Sequence, residues 1–446
     1  MNPDSRTPWQ PHRSWADPLI LLLALLSLLA AGLALRVRGQ AVRRPAEQAS
    51  LQGRMLEVAL VGPSLMGRKV GAKDWAKAEA QLKEPWDQAL LAVLRAEQEA
   101  RKPETNPVPE LQTTPPGSAG EGFRRAFLAA YGGGALPDRA ARADLHRRLG
   151  GGYGADLLEA RLQDREGGGE ALRLQSRAAL IKRFLGLGAL GFLALALAAG
   201  GLGLGIYLLA TSDRKPDRPL PEWGLSGRAS ALVMLTWFLA YFVSGNAVGL
   251  LLHPWPGLRW LVPALTYLLH AGFGLLLICR AEGLGPAALW QRVAPGRPGR
   301  DLAWGAGFLA LAVLLVLVAA LLSSLILRPD QNPQRELQEL VRGLSGWGPN
   351  LVLFATVALV APCFEELLFR GFLLPVLARH QPMALALALS ALLFGAIHLQ
   401  PAGLPVLSTL GLAMGLAMRH TGSLRTPILV HGAWNGGLFL LMRAFG

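Results

Sequence analysis

Cysteine is nearly absent from this chain. Its 446 residues hold two, Cys279 and Cys363, and both lie inside or at the edge of apolar runs. That inventory excludes a disulfide framework and a cysteine-based zinc site. Charge is also scarce, with 17% Asp, Glu, Lys and Arg, and acidic residues are the scarcer sign, 30 against 44 basic, for a net charge of +14. No Lys/Arg-rich tract is interleaved with aromatics, so nucleic acid is not an expected partner. The basic excess reads instead as loops held against anionic membrane lipid. What the chain does hold is apolar residues, at 52% hydrophobic and a mean hydropathy of +0.34. That is too apolar for a water-soluble protein of this length.

The apolar residues fall in long runs, several near the ~20 residues that cross a bilayer core as helix. The expected fold is all-α, a polytopic transmembrane helix bundle of about nine spans. They are read at 19–35, 184–210, 229–252, 260–279, 302–327, 351–377, 383–399, 404–418 and 427–442. The first run follows Arg6 and Arg13 and precedes Arg36 and Arg38 with no small-residue cleavage pattern, so residues 1–36 read as an uncleaved signal anchor. Residues 37–183 read as a polar, helical extramembrane domain inserted after that span. Residues 73–102 have helical spacing broken at Pro85, 103–120 form a Pro/Thr/Gly-rich linker, and 123–131 and 155–182 look like further amphipathic helices. No chemistry is visible there, and a structural or partner-docking role is the default. Residues 184–330 hold further spans, and 340–446 the expected catalytic core.

Loop charge suggests an orientation. Arg214, Lys215, Arg218 and Arg228 fill one loop, Arg280, Arg292, Arg297 and Arg300 the next but one, and only Arg259 the loop between. Excess Lys and Arg marks cytoplasmic loops, which places the N-terminus inside and the polar domain outside; Arg36, Arg38, Arg43 and Arg44 argue the other way. The Ala, Leu, Gly and Arg bias points to a bacterial cell membrane.

Ten acidic residues lie between Phe184 and the C-terminus, and only Glu365 and Glu366 sit well inside an apolar run. A carboxylate at mid-membrane costs about 2.5–3.5 kcal/mol on insertion scales, so an adjacent pair is a functional-site candidate. The bland reading is an ion pair that welds helices, and it suits Glu366, because Arg370 lies four residues on, one helical turn away on the same face. Glu365 is rotated about 100° from it and remains available for proton chemistry. Three polar residues of other spans complete the set: His398, ending Phe394-Gly-Ala-Ile-His398, and His431 with Asn435, one face of His431-Gly-Ala-Trp-Asn435. Gly411, Gly415, Gly432 and Gly436 would let those helices approach closely. Counting residues from the Arg379 and Gln381 ends brings Glu365 and His398 to a similar depth, so the four side chains are expected around one cavity. His270, a lone histidine in an apolar run, reads as a packed residue.

The ordered trio Glu365-Glu366-Leu-Leu-Phe-Arg370, Phe394-Gly-Ala-Ile-His398 and His431-Gly-Ala-Trp-Asn435 resembles the CPBP family, which includes type II CAAX prenyl endopeptidases and bacteriocin-processing or Abi-type immunity proteins. The motifs span roughly a fifth of the chain and depart from the family pattern at none of these positions. The resemblance implies a membrane helix bundle that hydrolyses peptide bonds within or at the bilayer. Glu365 would be the catalytic glutamate and His398 its partner in activating water. His431 and Asn435 would hold the substrate carbonyl or its oxyanion, with Glu366, Arg370 and Phe394 in support. The family is commonly called a metalloprotease, and two chemistries stay open. In one, Glu365 and His398 activate water without a metal. In the other, Glu365, His398 and His431 hold Zn2+ or another divalent metal, although no HExxH helix is present. The expected partners are membrane lipids and a peptide or protein substrate, membrane-embedded or lipidated.

Two other classes compete. A secondary transporter also buries Glu and His, but it predicts an internal repeat, and residues 184–327 hold no second Glu-Glu or matching histidine copy. A non-enzymatic membrane scaffold or immunity-type protein with a protease-like bundle needs none of Glu365, His398 and His431, yet the large polar region suits it.

Overall fold

The structure, a computed structural model, describes residues 8–42, 49–82, 84–99, 119–211, 216, 218–296, 298–326, 338, 340–341, 343–344, 346–445. Among the described residues every regular element is helical. The chain divides into two compact units, one of Met1–Gln40 with Ala194–Leu440 and one of Ala41–Leu193 with Leu441–Gly446. The expected linker at 103–120 lies outside the described residues except for Ala119 and Gly120. So do Arg43, Arg44, Arg214, Lys215 and Arg297 of the orientation argument.

The polar unit is built from short amphipathic helices: α2 (Leu51–Val61), α3 (Ala72–Gln81), α4 (Pro85–Glu99), α5 (Ala119–Tyr131), α6 (Arg139–Arg148) and α7 (Tyr153–Asp164). Side-chain caps start several of them. Ser50 accepts from the Gly53 N–H at the head of α2, and Asp138 accepts from the Ala141 N–H at the head of α6, each satisfying a donor that the first turn leaves open. The core they enclose is apolar and aromatic, with Trp75, Trp86, Phe123 and Phe127 buried. Two features depart from expectation. Helices α2 and α6 were not foreseen; α6 is densely charged, buries only Leu145, and so shows little apolar period. The helix expected at 155–182 breaks after Asp164, where Gly167 takes a left-handed φ of 91° that glycine tolerates. Its second part runs without interruption into the next apolar segment as α8 (Glu170–Ala210), so that span does not begin at Phe184.

The membrane unit contains α1 (Arg13–Val42), most of α8's apolar part, α9 (Gly227–Leu251), α10 (Val262–Glu282), α11 (Pro286–Val293), α12 (Pro298–Ile326), α13 (Trp347–His380), α14 (Met383–Ala396), α15 (Leu404–Thr421) and α16 (Arg425–Phe445). Among the described residues seven helices are long and apolar enough to cross a membrane: α1, α8, α9, α10 with the turn before it, α12, α13 and α15 with the turn before it. About nine were expected. The remaining two segments are also helical, but α14 has only 14 residues, and α16 carries His431, Asn435 and three glycines within its 21 residues.

Helix α14 packs on α15, α15 on α12, and α9 on α10. The acidic residues at span edges are buried and paired: Glu282 with Arg292 at 2.7 Å, and Asp301 with Arg425 at 3.2 Å and with the Ser423 hydroxyl at 2.7 Å. The centre of the unit is lined by Trp237, Phe364, Phe369 and Phe394 from three helices. Against that aromatic layer sits the polar cluster described next.

Candidate active site

Helix α13 carries the two carboxylates, and its backbone is not uniform. It widens into π turns at Thr356–Val360 and at Leu367–Leu373. Each π turn ends two residues before a proline, Pro362 and Pro375. A proline offers no N–H and its ring crowds the carbonyl four residues back, so a widened turn relieves the clash and leaves carbonyls for other donors. Both vacated positions are used. The Asn435 amide donates to the Val357 carbonyl at 3.0 Å, and the Trp223 indole N–H donates to the Gly371 carbonyl at 2.9 Å. Single π turns of this kind concentrate at functional sites. Here the first pins α16 against α13, and the second anchors the segment before α9 on it. Gly432 makes the approach of α16 feasible, since a Cβ there would meet the Ala358 carbonyl oxygen at 2.6 Å.

Glu366 is fully buried and doubly engaged. Its Oε1 accepts from Arg370 at 2.8 Å and lies 2.8 Å from His431 Nδ1. Arg370 is equally buried, donates its other terminal nitrogen to the Gly411 carbonyl at 2.9 Å, and stacks 4.3 Å above the Phe394 ring. Phe394 therefore supports the cation directly. Arg370 and Glu366 form a buried ion pair that His431 joins through Nδ1, and pairing is the condition for tolerating charge in so apolar a place, although Glu366 Oε2 and Arg370 Nε have no hydrogen-bond partner among the described residues.

Glu365, like Glu366, is engaged through Oε1 and leaves a buried Oε2 without a hydrogen-bond partner, but its partner and its surroundings differ. Its Oε1 accepts from the Tyr267 hydroxyl of α10 at 2.9 Å. Its Oε2 is buried with no hydrogen-bond partner among the described residues, and His431 Nε2 lies 3.9 Å from it. Glu365 also lines a cavity of about 80 Å³ with Trp237, Tyr241, Tyr267, His270 and His398. That volume admits a few water molecules.

His398 belongs to the same cavity but not to a membrane-crossing helix as expected. α14 stops at Ala396, and Leu399 takes a left-handed φ of 52°, with Pro401 two residues on preventing continuation. His398 sits in the resulting turn. Its Nδ1 is 2.8 Å from the Phe394 carbonyl, which can only accept, so Nδ1 carries the hydrogen and Nε2 carries the lone pair of the neutral ring.

The four residues expected around one cavity are thus distributed. Glu365 and His398 line it, whereas His431 joins both carboxylates from the side and Asn435 is spent in part on Val357. His270, read from sequence as merely packed, lines the cavity with Glu365. Tyr267 was not foreseen at all. Among the described residues no three His, Cys, Asp or Glu side chains are grouped to hold a metal ion, while His431, with Nδ1 on Glu366, brings Nε2 to 3.9 Å from Glu365 Oε2.

No curated protein and no solved structure matches the chain. Residues 347–437 match the family model described as type II CAAX prenyl endopeptidase Rce1-like. The matched stretch covers α13, α14, α15 and the first part of α16, and contains Glu365, Glu366, Arg370, His398, His431 and Asn435. In this integral membrane protein, the stretch that carries both carboxylates and both motif histidines is similar to the Rce1-like, type II CAAX prenyl endopeptidase family.

Proposed function

We propose that the chain is an intramembrane endopeptidase in which Glu365 and His398 activate the water that hydrolyses a peptide bond. The observation that carries this reading is the inequality of the two neighbouring carboxylates. Glu366 is held by Arg370 and His431 and is not among the residues lining the cavity, while Glu365, held among the described residues only by the neutral Tyr267 hydroxyl, lines that cavity with His398.

Water entering that cavity gives one proton to Glu365 Oε2 and is oriented by a hydrogen bond to His398 Nε2. Its oxygen adds to the scissile carbonyl carbon. The oxyanion that forms needs donors, and a single well-placed donor lowers such a barrier by about 2.7–4 kcal/mol. His431 Nε2 faces Glu365, and Asn435 keeps one amide hydrogen beyond the one given to Val357, so these two groups are assigned that role. Collapse of the tetrahedral species breaks the C–N bond, and Glu365 returns its proton to the leaving amine. The products are a carboxylate and an amine, and the glutamate is restored. No step is routed through a metal.

The substrate is a peptide segment presented within or at the edge of the bilayer, and the family's name adds a prenylated CAAX protein to the reporters worth testing. For residues 37–183 we propose a structural or partner-docking role. The test is cleavage of membrane-tethered and prenylated reporters by detergent-purified protein, with and without chelator. Glu365→Gln is expected to lose about a hundred-fold to ten-thousand-fold in rate, the range of a general base, while keeping its melting temperature. Full activity of Glu365→Gln would refute the assignment, and loss of wild-type cleavage on chelation would replace the metal-free step.

A further inference from the structure

Helix α10 lies outside the family-matched residues 347–437, yet it reaches the proposed catalytic carboxylate. Tyr267, His270 and Gly274 are spaced i, i+3, i+7 and share one face of α10. Gly274 lets that face press against α13 and α9, because a Cβ there would stand 2.4 Å from the Phe364 ring and 2.7 Å from the Trp237 ring. His270 is held in place by its Nδ1 on the Thr266 carbonyl at 2.7 Å and by rings on several sides: Tyr267 at 4.8 Å, Tyr241 at 5.1 Å, Phe364 at 5.7 Å and Trp237 at 5.9 Å. Tyr267 is thereby wedged against a fixed neighbour, and its hydroxyl meets Glu365 Oε1 at 2.9 Å.

We propose that Tyr267 is a positioning residue for the proposed peptidase, fixing Glu365 by one oxygen so that Oε2 alone meets the water. The inference rests on the endopeptidase reading of Glu365 and adds a residue that the three motifs do not contain. A carboxylate on a flexible side chain would otherwise rotate and present either oxygen. With Oε1 occupied by the phenol, the plane of the group is set, and Oε2 is left without a hydrogen-bond partner among the described residues, 3.9 Å from His431 Nε2. A misplaced base costs rate through orientation even where binding is unchanged. Helix α10 therefore completes the site from outside the three motifs.

The test compares four full-length proteins in detergent: wild type, Tyr267→Phe, Glu365→Gln and the double variant. Tyr267→Phe keeps the ring and removes only the hydroxyl. It is expected to lower kcat by about ten- to a hundred-fold, the worth of a hydrogen bond to a charged group, with KM changed by less than about twofold. If Tyr267 acts through Glu365, the double variant cleaves no more slowly than Glu365→Gln alone, and the shifts in melting temperature are non-additive. A merely structural tyrosine would give additive losses in both readouts, or would move KM instead of kcat, and either result overturns the proposal. Wild-type kcat in Tyr267→Phe beside an inactive Glu365→Gln sinks this inference and leaves the endopeptidase intact. A fully active Glu365→Gln sinks both. The melting comparison needs no substrate, and strictly additive shifts there refute the coupling even where no reporter is cleaved.

Discussion

The two units of this protein sort their residues by opposite rules. In the polar unit the interior is Trp75, Trp86, Phe123 and Phe127, and ionic pairs such as Arg95 with Glu79 lie at the surface. In the membrane unit Leu209, Leu250 and Leu325 are 77%, 76% and 76% exposed, while Glu366 and Arg370 are both 0% exposed. Water expels apolar surface, whereas lipid accepts it and expels unpaired charge. Exposed leucines that would be an aggregation hazard on a soluble protein are here the surface expected to face acyl chains. A buried carboxylate also means something different in each place. Glu57 of the polar unit is a buried acid bonded to the Gly154 N–H with Arg54 and Arg183 within electrostatic reach, while Glu366 is ion-paired with Arg370 and contacted by His431.

That contrast can be broken at its strongest point by Arg370→Met. The substitution leaves Glu366 and His431 buried without their cation, and removing one partner of a buried pair costs about 3–5 kcal/mol. A large drop in the detergent melting temperature, with loss of any cleavage, is expected; a stable and active variant would show that the ion pair is dispensable.

Glu57 offers a sharper comparison of somewhat smaller size. Burial pushes its carboxyl up to about 7, against the opposing pull of the Gly154 N–H and of Arg54 and Arg183, whereas an unburied glutamate ionises near 4.5. The folded value is the higher one, so the neutral acid's contribution is full below pH 4.5 and is lost as pH rises through about 7. The difference corresponds to roughly 3 kcal/mol. Melting curves across that window should show wild type losing stability relative to Glu57→Gln as pH rises; parallel curves would mean that Glu57 does not titrate there.

The smallest effect is expected at the lipid-facing side. Leu250→Ala should change stability by no more than about 0.5 kcal/mol, as for a surface position. A loss of several kcal/mol on melting would show that Leu250 is packed against a partner instead of facing acyl chains.

Much of the candidate site was legible because its signals are local. Two carboxylates in an apolar run cost free energy wherever the run folds, and the four-residue step from Glu366 to Arg370 brings them together on any helix. His398 was visible as a residue but not its setting, because the left-handed Leu399 that ends its helix has no marker beyond Pro401. Tyr267 was missed for a different reason. A single tyrosine in an apolar span looks like an interfacial anchor, and the one usable signal was the shared face of Tyr267, His270 and Gly274. The polar unit was read only in part, since α6 buries too little to show a period, although Asp138 after Pro137 marks its start.

What the sequence by itself determined is therefore the membrane character, the helical class and the identity of the charged residues that must be satisfied in the interior. These follow from solvation and helical spacing, which act over one or two turns. Only the tertiary structure decided how the two carboxylates part company. Glu366 takes His431 from 65 residues away and Glu365 takes Tyr267 from 98 residues away. Contacts at such separations are set by how helices pack, through Gly274 against Phe364 and Gly432 against Ala358, and close packing of that kind is a property of the assembled bundle and not of any one run.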